Sequence, residues 1–261
     1  MSNVLAAPTT MPFLVTKEHR TLVEFCDACH RQRYIGLCYG PPGVGKTLSA
    51  RHYLLTEPAH ESDLGSGSRT ILYTPTVSNN PGQIARDVQR LRDGLRYRLG
   101  DAHATNDAAR TWPPPDRTEL ILVDEADRLK MAGIEQMRDI YDRSQVGLVL
   151  IGMPGIEKRL ARYPQLYSRV GFVHAFRPLG AHETRHILAR QWPQLGLINP
   201  DGDFTDAEAL AAIIRITGGN FRLLHRLCTE IQRILQINEL QTVTKEVVET
   251  ARETLVIGPG L

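Results

Sequence analysis

Residues 40–47 read Gly40-Pro41-Pro42-Gly43-Val44-Gly45-Lys46-Thr47, which is a complete G-x-x-x-x-G-K-T sequence, a P-loop. Its glycines allow successive backbone N–H groups to turn inward around an anion, and the helix that follows adds its positive N-terminal end. Lys46 supplies an ammonium group for the β- and γ-phosphates, and the Thr47 hydroxyl is suited to bind Mg²⁺. The octapeptide therefore predicts a binding site for a nucleoside triphosphate.

A second motif lies downstream, where the apolar run 120–123 ends in Asp124-Glu125. Such a run is typical of a strand buried on both faces of a parallel sheet, and its carboxyl end then lies near the P-loop. Asp124 is suited to hold Mg²⁺ through water, and Glu125 to polarise the attacking water as a general base. Together the motifs predict ATP hydrolysis with Mg²⁺. The expected cofactor-binding residues are Gly40, Pro41, Pro42, Gly43, Val44, Gly45, Lys46, Thr47, Leu48 and Asp124, with Thr47 and Asp124 as metal ligands.

The composition agrees with a globular α/β protein. The 261 residues are 42% hydrophobic, with 31 basic and 29 acidic side chains. This is enough for one α/β domain and a smaller appended domain. The sequence contains no run of 18 apolar residues, and residues 1–16 lack the charged and apolar parts of a secretion signal. We therefore expect no membrane partner and a cytoplasmic location.

A haem or zinc site is suggested by Cys26-x-x-Cys29-His30, which matches the pattern of covalent haem attachment. That attachment requires export, for which no signal is visible. Leu22, Cys26 and Cys29 fall at positions i, i+4 and i+7 of a helix, which predicts that the thiols face the core. Zinc needs four ligands, and only a stretched grouping with His19 supplies the fourth. We expect neither haem nor zinc.

Hydrophobic periodicity predicts strands alternating with helices, followed by helices alone. The predicted helices are 17–33, 48–55, 83–99 and 132–143, the predicted strands are 34–39, 70–74, 120–123, 146–151 and 171–176, and the predicted loops are 57–69 and 101–117. A capping box at 205–208 opens one of the later helices. The expected domains are an N-terminal extension (1–16), a P-loop core (17–179) and a helical lid (180–261). Residues 124–127 spell DEAD, but the helical remainder is too short for a helicase's second domain.

The order of motifs resembles that of the AAA+ ATPases: P-loop, acidic strand, Ser168-Arg169, then Gly218-Gly219-Asn220-Phe221-Arg222. The resemblance implies a RecA-like P-loop AAA+ domain with a parallel sheet, followed by a small α-helical lid. By resemblance, Arg169 is the catalytic arginine finger that reaches the γ-phosphate bound by a neighbouring subunit. Arg222 is sensor 2, which contacts the phosphates of its own subunit. Arg159 and Arg162 are rivals for the finger, and an ordinary surface ion pair is the alternative for each arginine.

Residues 122–129 and 149–154 narrow the resemblance to the bacterial AAA+ transposition regulators, the TniB, TnsC and MuB proteins, with IstB-like proteins as cousins. That family implies a bacterial cytoplasmic protein that forms rings or filaments on duplex DNA and recruits or stimulates a transposase. Gly152-Met153 replaces the Asn, Thr or Ser that AAA+ proteins usually have at the end of the fourth strand, which favours slow, switch-like hydrolysis. The alternative function is a clamp-loader-like or helicase-loader-like remodelling ATPase that acts on a protein partner.

Two groups of cations are candidates for DNA contacts. The helix 83–99 carries several arginines, partly offset by two aspartates, and further cations follow the acidic strand. Such residues are suited to neutralise phosphates without reading bases. A solvated helix face with i, i+4 ion pairs is the alternative. The predicted DNA-binding residues are Arg92, Arg96, Arg98, Arg128 and Lys130.

Overall fold

A computed structural model describes residues 13–56, 68–102, 113–195 and 206–255. The chain divides into two compact units: Lys17–Arg177, and the part from Pro178 onward together with the residues before Lys17. Most of the predicted loop 57–69 and the greater part of the predicted loop 101–117 lie outside the described residues.

The first unit contains five parallel strands in the order β2-β3-β4-β1-β5. They are β1 (Ile35–Tyr39), β2 (Thr70–Tyr73), β3 (Leu120–Val123), β4 (Gly147–Gly152) and β5 (Val170–Ala175). Every residue of β3 and β4 is buried, as their apolar runs predict. Because all five strands run in one direction, the segments that follow β1, β3 and β4 emerge at the same side of the sheet, here called the carboxyl edge.

Helices cover both faces of this sheet. They are α1 (Lys17–Gln32), α2 (Lys46–Thr56), α3 (Pro81–Ala102), α4 (Met131–Ser144), α5 (Ile156–Leu160) and α6 (Pro164–Tyr167). Side chains of α1 and α2 pack on one face with Leu120 and Leu122, while α3 and α4 pack on the other with Ile121 and Val123. Alternate residues of a strand point to opposite faces, so both layers are apolar.

The thiols of Cys26 and Cys29 are fully buried in α1, in the core that the helix shares with the sheet. Their i, i+3 spacing on the apolar face of α1 predicted this position. Burial raises the pKa of the Cys29 thiol to about 12, because the thiolate loses its hydration.

The described part of the second unit is helical. It contains α7 (Ala181–Gln191), α8 (Ala207–Thr217), α9 (Phe221–Ile237) and α10 (Lys245–Glu253), which pack around a core that includes Trp192 and Ile213. Asp206 immediately precedes α8, and its carboxylate accepts the backbone N–H groups of Glu208 and Ala209. The N-cap is thus Asp206, whereas the predicted box opens at Thr205, outside the described residues. None of the described helices is long and apolar enough to cross a bilayer.

The contact between α1 and β1 tests this packing. A Cβ at Gly36 would lie 2.6 Å from Phe25 Cζ and closer still to Cys29 Sγ, so α1 rests directly on the β1 backbone. We expect Gly36→Ala to lower the free energy of unfolding by about 1–3 kcal/mol, measured by urea denaturation. Gly94→Ala is the control: Gly94 is exposed within α3 with no atom near its Cβ position, and alanine there should add about 0.5–1 kcal/mol. Equal stability of Gly36→Ala and the parent would contradict the close contact.

Candidate nucleotide site

The P-loop connects β1 to α2, which begins at Lys46. Gly43 and Gly45 have φ angles of 81° and 109°, which side chains other than glycine rarely adopt. The Lys46 ammonium donates hydrogen bonds to the carbonyl oxygens of Gly40 at 2.5 Å and Pro41 at 2.7 Å. The backbone of the octapeptide is therefore already curled around the ammonium group that is predicted to meet the phosphates.

The acidic pair follows β3 at the carboxyl edge. Asp124 is only 4% exposed, and its Oδ1 accepts the backbone N–H of Glu125 at 3.0 Å. Glu125 is half-buried and has a left-handed backbone, with φ 53° and ψ 42°, at the start of the tight turn Ala126–Arg128. A carboxylate has acceptor capacity for more than one partner, and the Thr47 hydroxyl is likewise an oxygen ligand of the kind Mg²⁺ prefers. The oxygen atoms of Asp124 and Thr47 are therefore suitable ligands for Mg²⁺.

A chain of hydrogen bonds joins the ends of three strands at this edge. The Gly40 N–H donates to the Gly152 carbonyl at 3.3 Å, and the Met153 N–H donates to Asp127 Oδ2 at 2.7 Å. A Cβ at Gly152 would lie 2.9 Å from the same Asp127 oxygen. The P-loop, the end of β4 and the turn after Asp124 are thus held as one framework. Sequence reasoning missed Asp127, although an acidic residue three positions after Asp124 was the available signal.

Arg159 on α5 holds the turn that follows Glu125. Its guanidinium donates to the carbonyl oxygens of Asp127 at 2.8 Å, Leu129 at 2.6 Å and Ala126 at 3.3 Å. Guanidinium has five donors in a planar fork, which suits a cluster of carbonyls. Arg159 is therefore engaged by the turn of its own subunit, and which arginine is the finger stays a prediction.

Arg169 immediately precedes β5. Because Val170 pairs with Ile35 at the start of β1, Arg169 lies at the amino edge of the sheet, opposite the P-loop of its own chain. Its Nε donates to Asp142 Oδ1 at 2.7 Å and its Nη1 to the Gln165 carbonyl. Arg162 lies nearby in sequence and is exposed. Arg169 therefore does not join the nucleotide site of its own subunit.

Arg222 belongs to the second unit, where it is exposed in the first turn of α9. Gly218 ends α8 in a left-handed conformation, and the Asn220 side chain accepts the Leu223 N–H at 3.1 Å. The Gly-Gly-Asn sequence thus ends one helix and caps the next. The sensor 2 role of Arg222 stays a prediction.

The predicted DNA-binding arginine Arg92 instead contacts its own chain. Its Nε donates to Asp116 Oδ2 at 2.8 Å and its Nη1 to the Ser144 hydroxyl at 2.7 Å, and its side chain is only 15% exposed. These bonds tie α3 to the end of α4. The Arg92 guanidinium is therefore engaged within the fold, and its contact with DNA stays a prediction.

The other predicted DNA contacts do not form one surface. The helix α3 starts after β2 at the carboxyl edge, and at about 1.5 Å per residue Arg96 lies about 22 Å along it from Pro81. Arg96 is 3.5 Å from Asp93, and Arg98 is exposed. Arg128 and Lys130 are both exposed at the carboxyl edge itself. Among the predicted contacts, only this second pair lies beside the nucleotide motifs.

A match to a protein-family model shows what class of protein has this fold and site. The AAA domain model matches residues 29–160, half of the chain. A protein of Staphylococcus aureus described as a potential ATP-binding protein is 44% identical over 94% of this chain and 97% of its own length. The chain belongs to the AAA ATPase family and is an ATPase.

Two further relatives carry transposition names. The Mu-like prophage FluMu DNA transposition protein B of Haemophilus influenzae is 25% identical over 81% of this chain and 70% of its own length. The ATP-dependent target DNA activator B of Escherichia phage Mu is 28% identical over 52% of this chain and 42% of its own length. These similarities confirm the predicted resemblance to the MuB group.

Solved structures confirm the fold. The Thermotoga maritima RuvB Holliday junction branch migration motor superposes with a TM-score of 0.60 and 18% identity, covering 93% of this chain and 70% of RuvB. The Aeropyrum pernix Orc1 protein, solved in complex with DNA, superposes with a TM-score of 0.59 and 21% identity. The match covers 94% of this chain and 67% of Orc1. The P-loop AAA+ fold with its parallel sheet is therefore as predicted.

Loss of the Lys46 ammonium tests the nucleotide site. Hydrogen bonds to charged groups contribute about 1.5–3 kcal/mol, so Lys46→Ala should weaken ATP affinity by at least about tenfold. Titration with a fluorescent ATP analogue measures this. Lys158→Ala, at an exposed lysine of α5, is the control and should bind like the parent. Unchanged affinity of the Lys46 variant would overturn the site assignment.

Proposed function

We propose that the protein binds duplex DNA in an ATP-dependent manner, oligomerises on target DNA and recruits or stimulates a transposase, with slow ATP hydrolysis as the switch. The observation that carries the proposal is the similarity, over 81% of this chain, to a protein described as a DNA transposition protein B. The nucleotide site supports it, since an intact P-loop and acidic pair lie on one hydrogen-bonded framework.

Within the proposed cycle, each residue of the site has a chemical task. Lys46 and Arg222 neutralise phosphate charge, and Glu125 accepts the proton of the attacking water. Thr47 and Asp124 would hold Mg²⁺, which would supply positive charge to offset that of the phosphates. Glu125 is the residue directly after the buried Asp124, whose carboxylate accepts the Glu125 backbone N–H. The proposed base and the proposed metal ligand are therefore neighbours in the chain.

Slow hydrolysis is supported by the end of β4. The backbone N–H of Met153 is engaged by Asp127, and the side chain is a partly exposed thioether. A thioether is a weak hydrogen-bond acceptor and no donor, so it orients water poorly compared with an amide or hydroxyl. The rate of hydrolysis therefore depends on Glu125, because the end of β4 supplies no side chain that orients water well.

The proposed DNA surface centres on the start of α4. Lys130 is the exposed N-cap residue of this 14-residue helix, and no side chain caps the helix there. An uncapped helix N-terminus and an adjacent ammonium both favour phosphate oxygens. Such contacts carry no base information, so binding should depend little on sequence. Arg96 and Arg98 are proposed as a separate, peripheral contact.

Salt dependence tests the DNA proposal. With an ATP analogue present, duplexes of unrelated sequence should bind with similar affinity, and the affinity should fall steeply with salt. Lys130→Ala should weaken binding to all of them and reduce the slope of log affinity against log salt by about 1, measured by fluorescence anisotropy.

The control for that experiment is Lys245→Ala, which removes an exposed lysine of the second unit paired with Glu208 at 3.0 Å. Its DNA affinity should match the parent. Strong preference for one sequence, or no binding at low salt in the presence of nucleotide, would count against the proposed function.

We also propose that a neighbouring subunit completes the site, with Arg169 as the finger. The residue faces away from its own P-loop edge, and its ion pair with Asp142 joins two partly exposed side chains, which makes it weak enough to exchange for a phosphate. An arginine supplied in trans is worth about 10³–10⁵ in rate. Activity should therefore be low for dilute protein and rise with assembly.

Mixing two inactive variants tests this arrangement. In an equal mixture of Arg169→Ala and Lys46→Ala proteins, about one interface in four has both an intact P-loop and an intact arginine. ATPase activity should partly return, while each variant alone stays inactive. Arg162→Ala mixed with Lys46→Ala runs in parallel. If only the Arg162 mixture recovers while both pairs co-assemble by cross-linking, Arg162 is the finger instead.

A further inference from the structure

A cavity of about 530 Å³ lies at the amino edge of the sheet, at the opposite end of the strands from the P-loop. Arg69 directly precedes β2, Glu119 precedes β3 and Val146 precedes β4, while the ends of α1 and α4 form the sides. Every lining residue belongs to the first unit. The ionisable lining residues are His30, Arg31, Arg33, Arg69, Glu119 and Arg143. Four arginines therefore surround a single carboxylate.

That carboxylate is already engaged by two of these side chains. Arg69 Nη1 donates to Glu119 Oε1 at 2.7 Å, and His30 Nε2 lies 2.7 Å from Glu119 Oε2. Burial alone would raise the pKa of Glu119, but the hydrogen bonds from Arg69 and His30 hold it below its usual value. Glu119 is therefore ionised at neutral pH, and each of its oxygens already has a partner.

Two arginines at the end of α1 have no such partner. Across the described part of the chain, the guanidinium groups of Arg31 and Arg33 make no ion pair or hydrogen bond, and both residues are exposed. The backbone of Arg33 is nevertheless fixed, because its φ is 52° and its carbonyl accepts the Tyr141 hydroxyl at 2.7 Å. Arg143 on α4 forms an exposed pair with Asp139 at 2.8 Å. The cavity thus carries two unpaired positive charges and a third that is weakly held.

The chemistry of this lining favours a ligand that carries both carboxylates and N–H donors. Guanidinium groups bind carboxylates through two parallel hydrogen bonds, and a cleft of one charge sign concentrates ions of the other sign. The helices α1 and α4 both end at the cavity, and the last carbonyl groups of a helix lack intrahelical donors, so acceptors are present as well. Duplex DNA is stiff over about 50 nm and does not bend into a cavity of this size. An acidic peptide supplies both kinds of group on a flexible chain.

We propose that this cavity binds an acidic peptide segment of a protein partner, with Arg31 and Arg33 holding its carboxylates. Because these two guanidinium groups have no partner in the described chain, binding breaks no internal ion pair at either of them. The site lies at the opposite edge of the sheet from the nucleotide motifs and the proposed DNA surface. It is therefore an additional protein contact that does not depend on the proposed function.

Fluorescence anisotropy with a fluorescein-labelled hexaglutamate peptide tests the site, at low salt and with an ATP analogue filling the P-loop. The parent should bind this peptide and should bind labelled hexaglutamine much more weakly. The double variant Arg31→Gln, Arg33→Gln should lose at least about tenfold in affinity, because two charge-assisted contacts are removed. The double variant Arg31→Lys, Arg33→Lys keeps the charge without the planar fork and should give an intermediate affinity.

The matched control is the double variant Arg185→Gln, Arg190→Gln, which removes the same charge from two exposed positions of α7. It should bind the peptide like the parent. An equal loss in both glutamine variants, with unfolding temperatures like the parent, would show attraction by overall charge and overturn the site. Absence of peptide binding by the parent, or parent-like binding by the Arg31 and Arg33 variant, would overturn it as well.

Two further titrations separate the peptide from other anions. Inorganic phosphate, added at constant ionic strength, should not displace the peptide, and displacement would show a site for a free anion instead. Duplex DNA should bind the parent and the Arg31 and Arg33 variant alike. A loss of DNA affinity without a loss of peptide affinity would assign these arginines to DNA and overturn the peptide site. If the parent binds no DNA, the proposed function fails, and the peptide titration still decides this inference.

Discussion

The nucleotide site depends on a hydrogen bond to the carboxylate of Asp127. It accepts the Met153 N–H at the end of β4, and the neighbouring Gly152 carbonyl accepts the N–H of Gly40 at the start of the P-loop. Strand β4 lies between β1 and β3 in the sheet, and these two hydrogen bonds continue the connection beyond the strand ends, from the P-loop to the turn after the acidic pair. A hydrogen bond to a charged acceptor contributes about 1.5–3 kcal/mol, enough to fix the edge.

That fixed edge explains how Glu125 keeps an unfavourable backbone. A left-handed conformation costs a residue other than glycine about 1–2 kcal/mol and persists only where surrounding contacts determine it. Here Asp127 holds one side of the turn and Arg159 holds its carbonyls. Strain at a proposed catalytic carboxylate thus has a visible structural source, and the same turn places Arg128 against it.

Much of the fold and part of the site could be predicted because their signals are local. Short stretches of sequence are enough to predict the P-loop, the buried strands β3 and β4, and the helices of the second unit. The contacts of Arg92 and Arg159 could not be predicted from local sequence, because Arg92 binds Ser144 and Arg159 binds Asp127, which are far away in the sequence. The sequence of an arginine-rich helix is therefore the same kind of pattern whether its guanidinium groups face solvent or bind other residues of the protein.

This distinction decides which arginines are open to a function outside the fold. A guanidinium with three carbonyl partners, as in Arg159, would leave several buried acceptors unsatisfied if it swung toward a phosphate, and each such group costs about 1–3 kcal/mol. A partly exposed guanidinium with one carboxylate and one carbonyl partner, as in Arg128 or Arg169, loses less. An exchange of partners therefore costs less free energy for this second group. The abundance of arginine says little about function until each side chain has been assigned to one group or the other.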